Sequence, residues 1–167
     1  MKVRDQPEVC GFTIFCDDIR YELGGKISLV GCYGADIIIP GEFPFTLQKL
    51  CFSIRIFQRR ELLDPNIEVR IYLPGDPDDT PSFSASAKET SEGAVADATA
   101  REVEGLPLAD QRVVGMTLSL AAAPLVLKER GAIQVRAIRK GKMIRLGGIR
   151  VVSQQEMESR QTPLLAG

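Results

Sequence analysis

The chain has 167 residues, 44% hydrophobic, 26% charged and 6% aromatic, with a formal net charge of −1. That length suits one domain whose core buries about two thirds of the unfolded surface, enough to hold without a metal or a disulfide. It contains no histidine and no tryptophan, which excludes Ser-His-Asp and Cys-His catalysis, histidine-ligated zinc and histidine pH switching, and weakens any case for base stacking.

No apolar run approaches the roughly 18 residues of a membrane span, and the opening MKVRDQPEVCG lacks the apolar region of a signal peptide. The expected location is therefore cytoplasmic, with no membrane partner and with four cysteines held as reduced thiols. The charge is unevenly spread. Between Glu61 and Asp110 stand twelve acids and three bases, and between Lys128 and Arg150 eight bases and one acid. Two such segments either form a bipolar surface or lie close and neutralise each other, and neutralisation is the preferred reading.

Residues 1–11 read as a polar lead-in. Phe12, Ile14 and Cys16 then alternate with Thr13 and Phe15, the period of a strand. Beyond Asp17-Asp18 the apolar positions become Ile19, Tyr21 and Leu23, so the phase slips by one, and a β-bulge at the acid pair would restore a common face. A three-residue loop, Gly24-Gly25-Lys26, pairs Leu23 with Ile27 and Tyr21 with Leu29 and keeps one apolar face. A two-residue loop at Gly24-Gly25 does not.

Ala35 to Pro40 is a short apolar run. Thr46 to Gln58 reads as one half-buried strand with Leu50, Phe52, Ile54 and Ile56 inward, and a hairpin connection leads to Ile67–Leu73. Residues 74–110 are rich in Pro, Asp, Ser, Thr and Ala and read as a long acidic, mobile loop with at most a weak helix or strand near 92–103. Strands return from Arg112. The chain closes with Ile133–Ala137, a turn at Arg139-Lys140-Gly141-Lys142, and Met143–Val152. Residues 154–167 read as a flexible tail after a single domain over 1–153.

About eight strands with close turn signals and little helix predict an all-β fold, an antiparallel two-sheet sandwich of immunoglobulin-like kind, with a small closed β-barrel as the alternative.

The segment FCDDIRYELGGKISLVGCYGADIIIP resembles the opening of an uncharacterised bacterial family, a domain of unknown function. The resemblance rests on Cys16-Asp17-Asp18-Ile19-Arg20, Gly25-Lys26-Ile27-Ser28-Leu29 and Gly31-Cys32-Tyr33, and covers about 25 residues well. It implies no activity, cofactor or catalytic residue.

Three clusters invite chemistry. Asp17, Asp18, Arg20 and Glu22 offer paired carboxylates for a divalent cation or for acid–base work, but no further oxygen ligands sit at a recognisable spacing, so a structural bulge is preferred. Cys10, Cys16, Cys32 and Cys51 lack the short C-x₂₋₄-C pairs of structural zinc. The basic hairpin, Arg136, Arg139, Lys140, Lys142, Arg145 and Arg150, is the best candidate binding surface, open to an anion or a nucleic acid though without interleaved aromatics. No phosphate-binding glycine loop and no GxSxG occurs. The expected function is a non-enzymatic protein-interaction or structural module, without cofactor, whose partner is another protein. Anion or nucleic-acid binding through residues 133–150 is the alternative.

Overall fold

Leu50, Phe52, Ile54, Ile56 and Gln58 alternate with Cys51, Ser53, Arg55 and Phe57, and every member of the first set is almost wholly buried. That period-2 row forms the centre of a two-sheet β-sandwich. A computed structural model describes residues 8–64, 66–86, 97–103 and 113–161.

The elements in chain order are β1 (Val9–Glu22), β2 (Lys26–Cys32), β3 (Asp36–Ile39), β4 (Phe45–Leu47), β5 (Leu50–Arg59), β6 (Glu68–Tyr72), β7 (Phe83–Ser86), β8 (Asp97–Val103), β9 (Val113–Ala122), β10 (Leu125–Leu127), β11 (Gly131–Arg139), β12 (Lys142–Ser153) and α1 (Gln154–Gln161). One sheet runs β2-β1-β5-β9-β8 and the other β3-β12-β11-β6-β7, with β4 and β10 as a separate two-stranded pair. All pairings are antiparallel except β3 with β12. No sheet closes on itself, so the barrel alternative is set aside.

The core lies between the two large sheets. Val9, Phe15, Phe52, Ile54, Leu118 and Leu120 from one meet Ile37, Val69, Ile71, Ile133, Val135 and Ile149 from the other. Glycine lets the sheets approach: an added Cβ on Gly11 would lie 2.3 Å from the Arg55 carbonyl oxygen and 2.9 Å from Leu146 Cδ2.

The inward row of β1 is Val9, Gly11, Thr13 and Phe15, while Phe12 is 44% exposed. The inner row therefore differs from the expected Phe12, Ile14 and Cys16, but the expected irregularity at the acid pair is present. Phe15–Tyr33 and Glu22–Lys26 are hydrogen-bonded pairs of opposite parity, and the ladder between them skips Asp17 with Gly31, whose φ is 65°.

The hairpin loop is indeed three residues, but it is Leu23-Gly24-Gly25, with Tyr21 opposite Ile27 and Ile19 opposite Leu29. This register also keeps one apolar face. It places both left-handed glycines (φ 79° and 73°) in the loop and sets Glu22 across from Lys26. At the other hairpin the expected turn holds: Arg139 pairs with Lys142, leaving Lys140 and Gly141 with φ 48° and 74° as the two-residue loop.

Four further expectations change. The stretch Thr46–Gln58 divides into β4 and β5. The link from β5 to β6 crosses between sheets rather than closing a hairpin, through a 3-10 turn at Arg60–Leu62, and Gln58 secures it by accepting from the Asp64 N–H at 3.1 Å. Within 74–110, residues 83–86 pair with β6 and 97–103 with β9 as edge strands, because short Ala/Ser/Thr segments need only a neighbouring ladder to extend; the rest of the proposed weak helix lies outside the described residues. The tail begins as α1, which packs on β12 and β3, and Ser153 Oγ accepts from the Glu156 N–H at 3.3 Å as an N-terminal cap.

Candidate functional site

β1 pairs with β5 only as far as Cys16, while its pairing with β2 continues to Glu22. The outer half of the β1–β2 hairpin therefore projects beyond the ladder that anchors its base. Around this departure point stand Cys16, Asp17, Asp18, Cys32, Tyr33, Lys49 and Cys51.

Asp17 and Asp18 take different partners. The Asp17 carboxylate accepts from the Tyr33 hydroxyl at 2.6 Å. Gly31 makes room for it: a Cβ there would fall 2.1 Å from the carboxylate oxygen, and the φ of 65° already favours glycine. Burial, together with the bond to Asp17, pushes the Tyr33 phenol up to about 12. Asp18 accepts from Lys49 Nζ at 2.5 Å and Arg20 Nε at 3.2 Å. Those two bonds, Lys49's first, hold its carboxyl below the usual carboxylate range. Glu22 accepts from Ser28 Oγ at 2.9 Å. The three carboxylates singled out in sequence are thus each engaged by different partners, Tyr33, Lys49 with Arg20, and Ser28, an arrangement suited to positioning the hairpin.

The cysteines are brought together in a way their spacing concealed. Cys32, Cys16 and Cys51 stand opposite one another across β2, β1 and β5, on the outer face. Cys16 and Cys51 are buried, Cys32 and Cys10 exposed, and all four are free thiols. Burial, followed by the neighbouring Cys51 and Cys32 thiols, pushes Cys16 up to about 12; burial likewise raises Cys51. Among the described residues no group of three His, Cys, Asp or Glu is arranged to hold a metal ion.

The basic hairpin does not form one surface. Arg139 turns toward the end of the sandwich, donating to the Leu62 carbonyl and, at 3.1 Å, to Glu8. Arg150 makes a two-bond fork to Asp36 at 2.7 and 2.9 Å. Arg136 is buried on the outer face of its sheet, stacked 4.3 Å from the Tyr72 ring centre and paired with Asp78 at 2.9 Å. That last pair joins the acidic stretch to the basic one. Lys140, Lys142 and Arg145 are exposed and make no ion pair among the described residues.

Sequence reasoning missed Tyr33's partnership with Asp17, Lys49, and Arg70, which lies opposite Arg136 just as Arg145 does on the other side. Arg70 was detectable as an outward position of β6; Lys49 carried no signal, because its contact joins residues 31 apart.

A scan against protein-family models, a search of curated proteins and a search of solved structures each found no match to this chain. No helix among the described residues is long and apolar enough to cross a membrane.

Proposed function

We propose that this chain is a non-enzymatic interaction module that takes an extended segment of a partner polypeptide along β2. The projecting hairpin carries the reading: β2 ends its sheet, pairing with no further strand among the described residues, and Tyr21, Leu23 and Val30 are 58%, 94% and 39% exposed. An edge strand offers a row of backbone donors and acceptors to an added strand, and the alternating side chains select its sequence.

The geometry identifies the outward donors. Glu22 and Lys26 flank the three-residue loop and so are a hydrogen-bonded pair, and along the register the residues of β2 bonded to the outer half of β1 are therefore 26, 28 and 30. The N–H groups of Ile27 and Leu29 face away. Leu29→Pro should remove a docking donor while leaving the hairpin paired. A photo-crosslinking residue at position 30, expressed in the source cells, should capture a polypeptide that one at position 145 does not, and Leu29→Pro should eliminate co-purification of that polypeptide without changing the circular dichroism. Absence of any adduct at position 30 would refute the reading.

A second reading is favoured by one observation. Arg70, Arg136 and Arg145 stand in a row across β6, β11 and β12, with Arg70 offset by Glu68 at 2.9 Å, Arg136 by Asp78, and Arg145 by no acid among the described residues. Arg136 Nη1 is buried without a hydrogen-bond partner among the described residues. An anion such as a nucleic-acid phosphate meets such a row electrostatically, with an affinity that falls with salt. Arg145→Gln should weaken binding of a fluorescent single-stranded oligonucleotide and flatten its salt dependence, and no binding by the unaltered protein at low salt would eliminate this reading.

A further inference from the structure

We propose that Cys16 and Cys32 form a redox-active dithiol that a hydroperoxide closes into a cross-strand disulfide at the base of the β1–β2 hairpin. The inference is independent of whether that hairpin docks a partner.

Antiparallel ladders alternate hydrogen-bonded with non-hydrogen-bonded pairs. Phe15 and Tyr33 are a hydrogen-bonded pair, since Tyr33 N–H donates to the Phe15 carbonyl. The next pair, Cys16 with Cys32, is then a non-hydrogen-bonded one. Such pairs place their Cα atoms about 4.5 Å apart with side chains drawn together, within the roughly 4.4–6.8 Å that a disulfide spans.

Cys16 also faces Cys51, but in the other kind of site. Arg59 N–H donates to the Glu8 carbonyl at 3.4 Å, so Glu8–Arg59 is hydrogen-bonded, and eight unbroken steps along the register make Cys16–Cys51 hydrogen-bonded too. There the Cα atoms stand about 5.5 Å apart and the side chains are farther from each other. Cys51 Sγ already donates to the Asp17 carbonyl at 3.5 Å. The two ladders agree, because the backbone of Cys16 directs both its N–H and its C=O toward β5 and leaves its β2 side free.

Accessibility orders the steps. Cys32 is exposed and Cys16 fully buried, so the oxidant reaches Cys32 first. The Cys32 thiolate attacks the terminal peroxide oxygen, the O–O bond breaks, and the departing alkoxide takes a proton to leave as an alcohol (water, for hydrogen peroxide). The resulting sulfenic acid is attacked by Cys16 sulfur. The S–S bond forms as the S–O bond breaks, and hydroxide leaves with the Cys16 proton as water. Two thiols thus supply two electrons to one hydroperoxide. Burial keeps Cys16 protonated, so Cys16 does not meet the oxidant itself and gives up its proton only as it attacks the sulfenic sulfur of its cross-strand neighbour.

The test uses the full chain carrying Cys10→Ser, because Cys10 and Cys16 share the tryptic peptide 5–20 while Cys32 lies in 27–49 and Cys51 in 50–55. Stoichiometric hydrogen peroxide should remove two hydrogens from the intact mass and join peptide 5–20 to peptide 27–49, and dithiothreitol should reverse both changes. Adding Cys51→Ser should leave the link in place, whereas adding Cys32→Ser should abolish it. Overturning results would be a link to peptide 50–55, or Cys32 carried on to sulfinic acid while Cys16 remains open to alkylation after unfolding.

Discussion

Phe15→Ala should lower stability by about 3–5 kcal/mol, whereas Phe12→Ala, three residues earlier on the same strand, should cost about 1 kcal/mol. Phe15 is 5% exposed and meets Phe52 edge-to-face with ring centres 5.6 Å apart. Phe12 lies on the outer face, 44% exposed, its ring 6.4 Å from that of Phe57. Urea midpoints of the two variants decide between the faces of β1. Equal losses would mean that β1 is not oriented with its odd-numbered residues inward.

Gly11→Ala should destabilise by about 2–3 kcal/mol, despite adding only a methyl group. Its Cβ would press on the Arg55 carbonyl at 2.3 Å and Ile56 Cα at 3.2 Å, both backbone atoms of the paired strand, so no rotamer change relieves the contact. Gly34→Ala is the control: nothing lies within 4 Å of its added Cβ, and its cost should be near zero. Thermal or urea unfolding of the two variants measures the difference. A Gly11→Ala midpoint matching that of the unaltered chain would mean that β1 and β5 do not approach as closely as described.

Much of the architecture could be read from pattern. Leu50–Ile56 and Ile67–Leu73 alternate strictly, and both became core strands, one in each large sheet. Lys140-Gly141 announced its own turn, because a two-residue loop of this kind demands positive φ at both positions. Where both faces of a strand carry apolar residues, pattern loses its power. On β1, Phe12, Ile14 and Cys16 compete with Val9, Thr13 and Phe15, and only the opposing sheet selects the second row. The short edge strands β7 and β8 follow the same logic, since Ala, Ser and Thr have little preference until a neighbouring ladder offers hydrogen bonds.

The candidate sites divide along the same line. Sequence named Asp17, Asp18, Arg20 and Glu22 as a cluster because they are adjacent, yet Asp17 is engaged by Tyr33 and Asp18 by Lys49, residues from later in the chain. It dismissed the cysteines because their spacing is irregular, yet register places three of them side by side. The basic hairpin was visible as composition, but three of its arginines, Arg139, Arg150 and Arg136, are apportioned among Glu8, Asp36 and Asp78, acids from three distant parts of the chain.

By itself, then, the amino-acid order determined what is local: strand periods, turn residues, the all-β class and the absence of histidine chemistry. Tertiary structure decided which face of β1 is inside, which arginines remain unpaired, and that Cys16 meets Cys32 rather than Cys10. The physical reason is that side-chain direction in a strand has a period of two and carries no mark of inside or outside. Only the register against neighbouring strands, and the sheet packed across from them, breaks that symmetry.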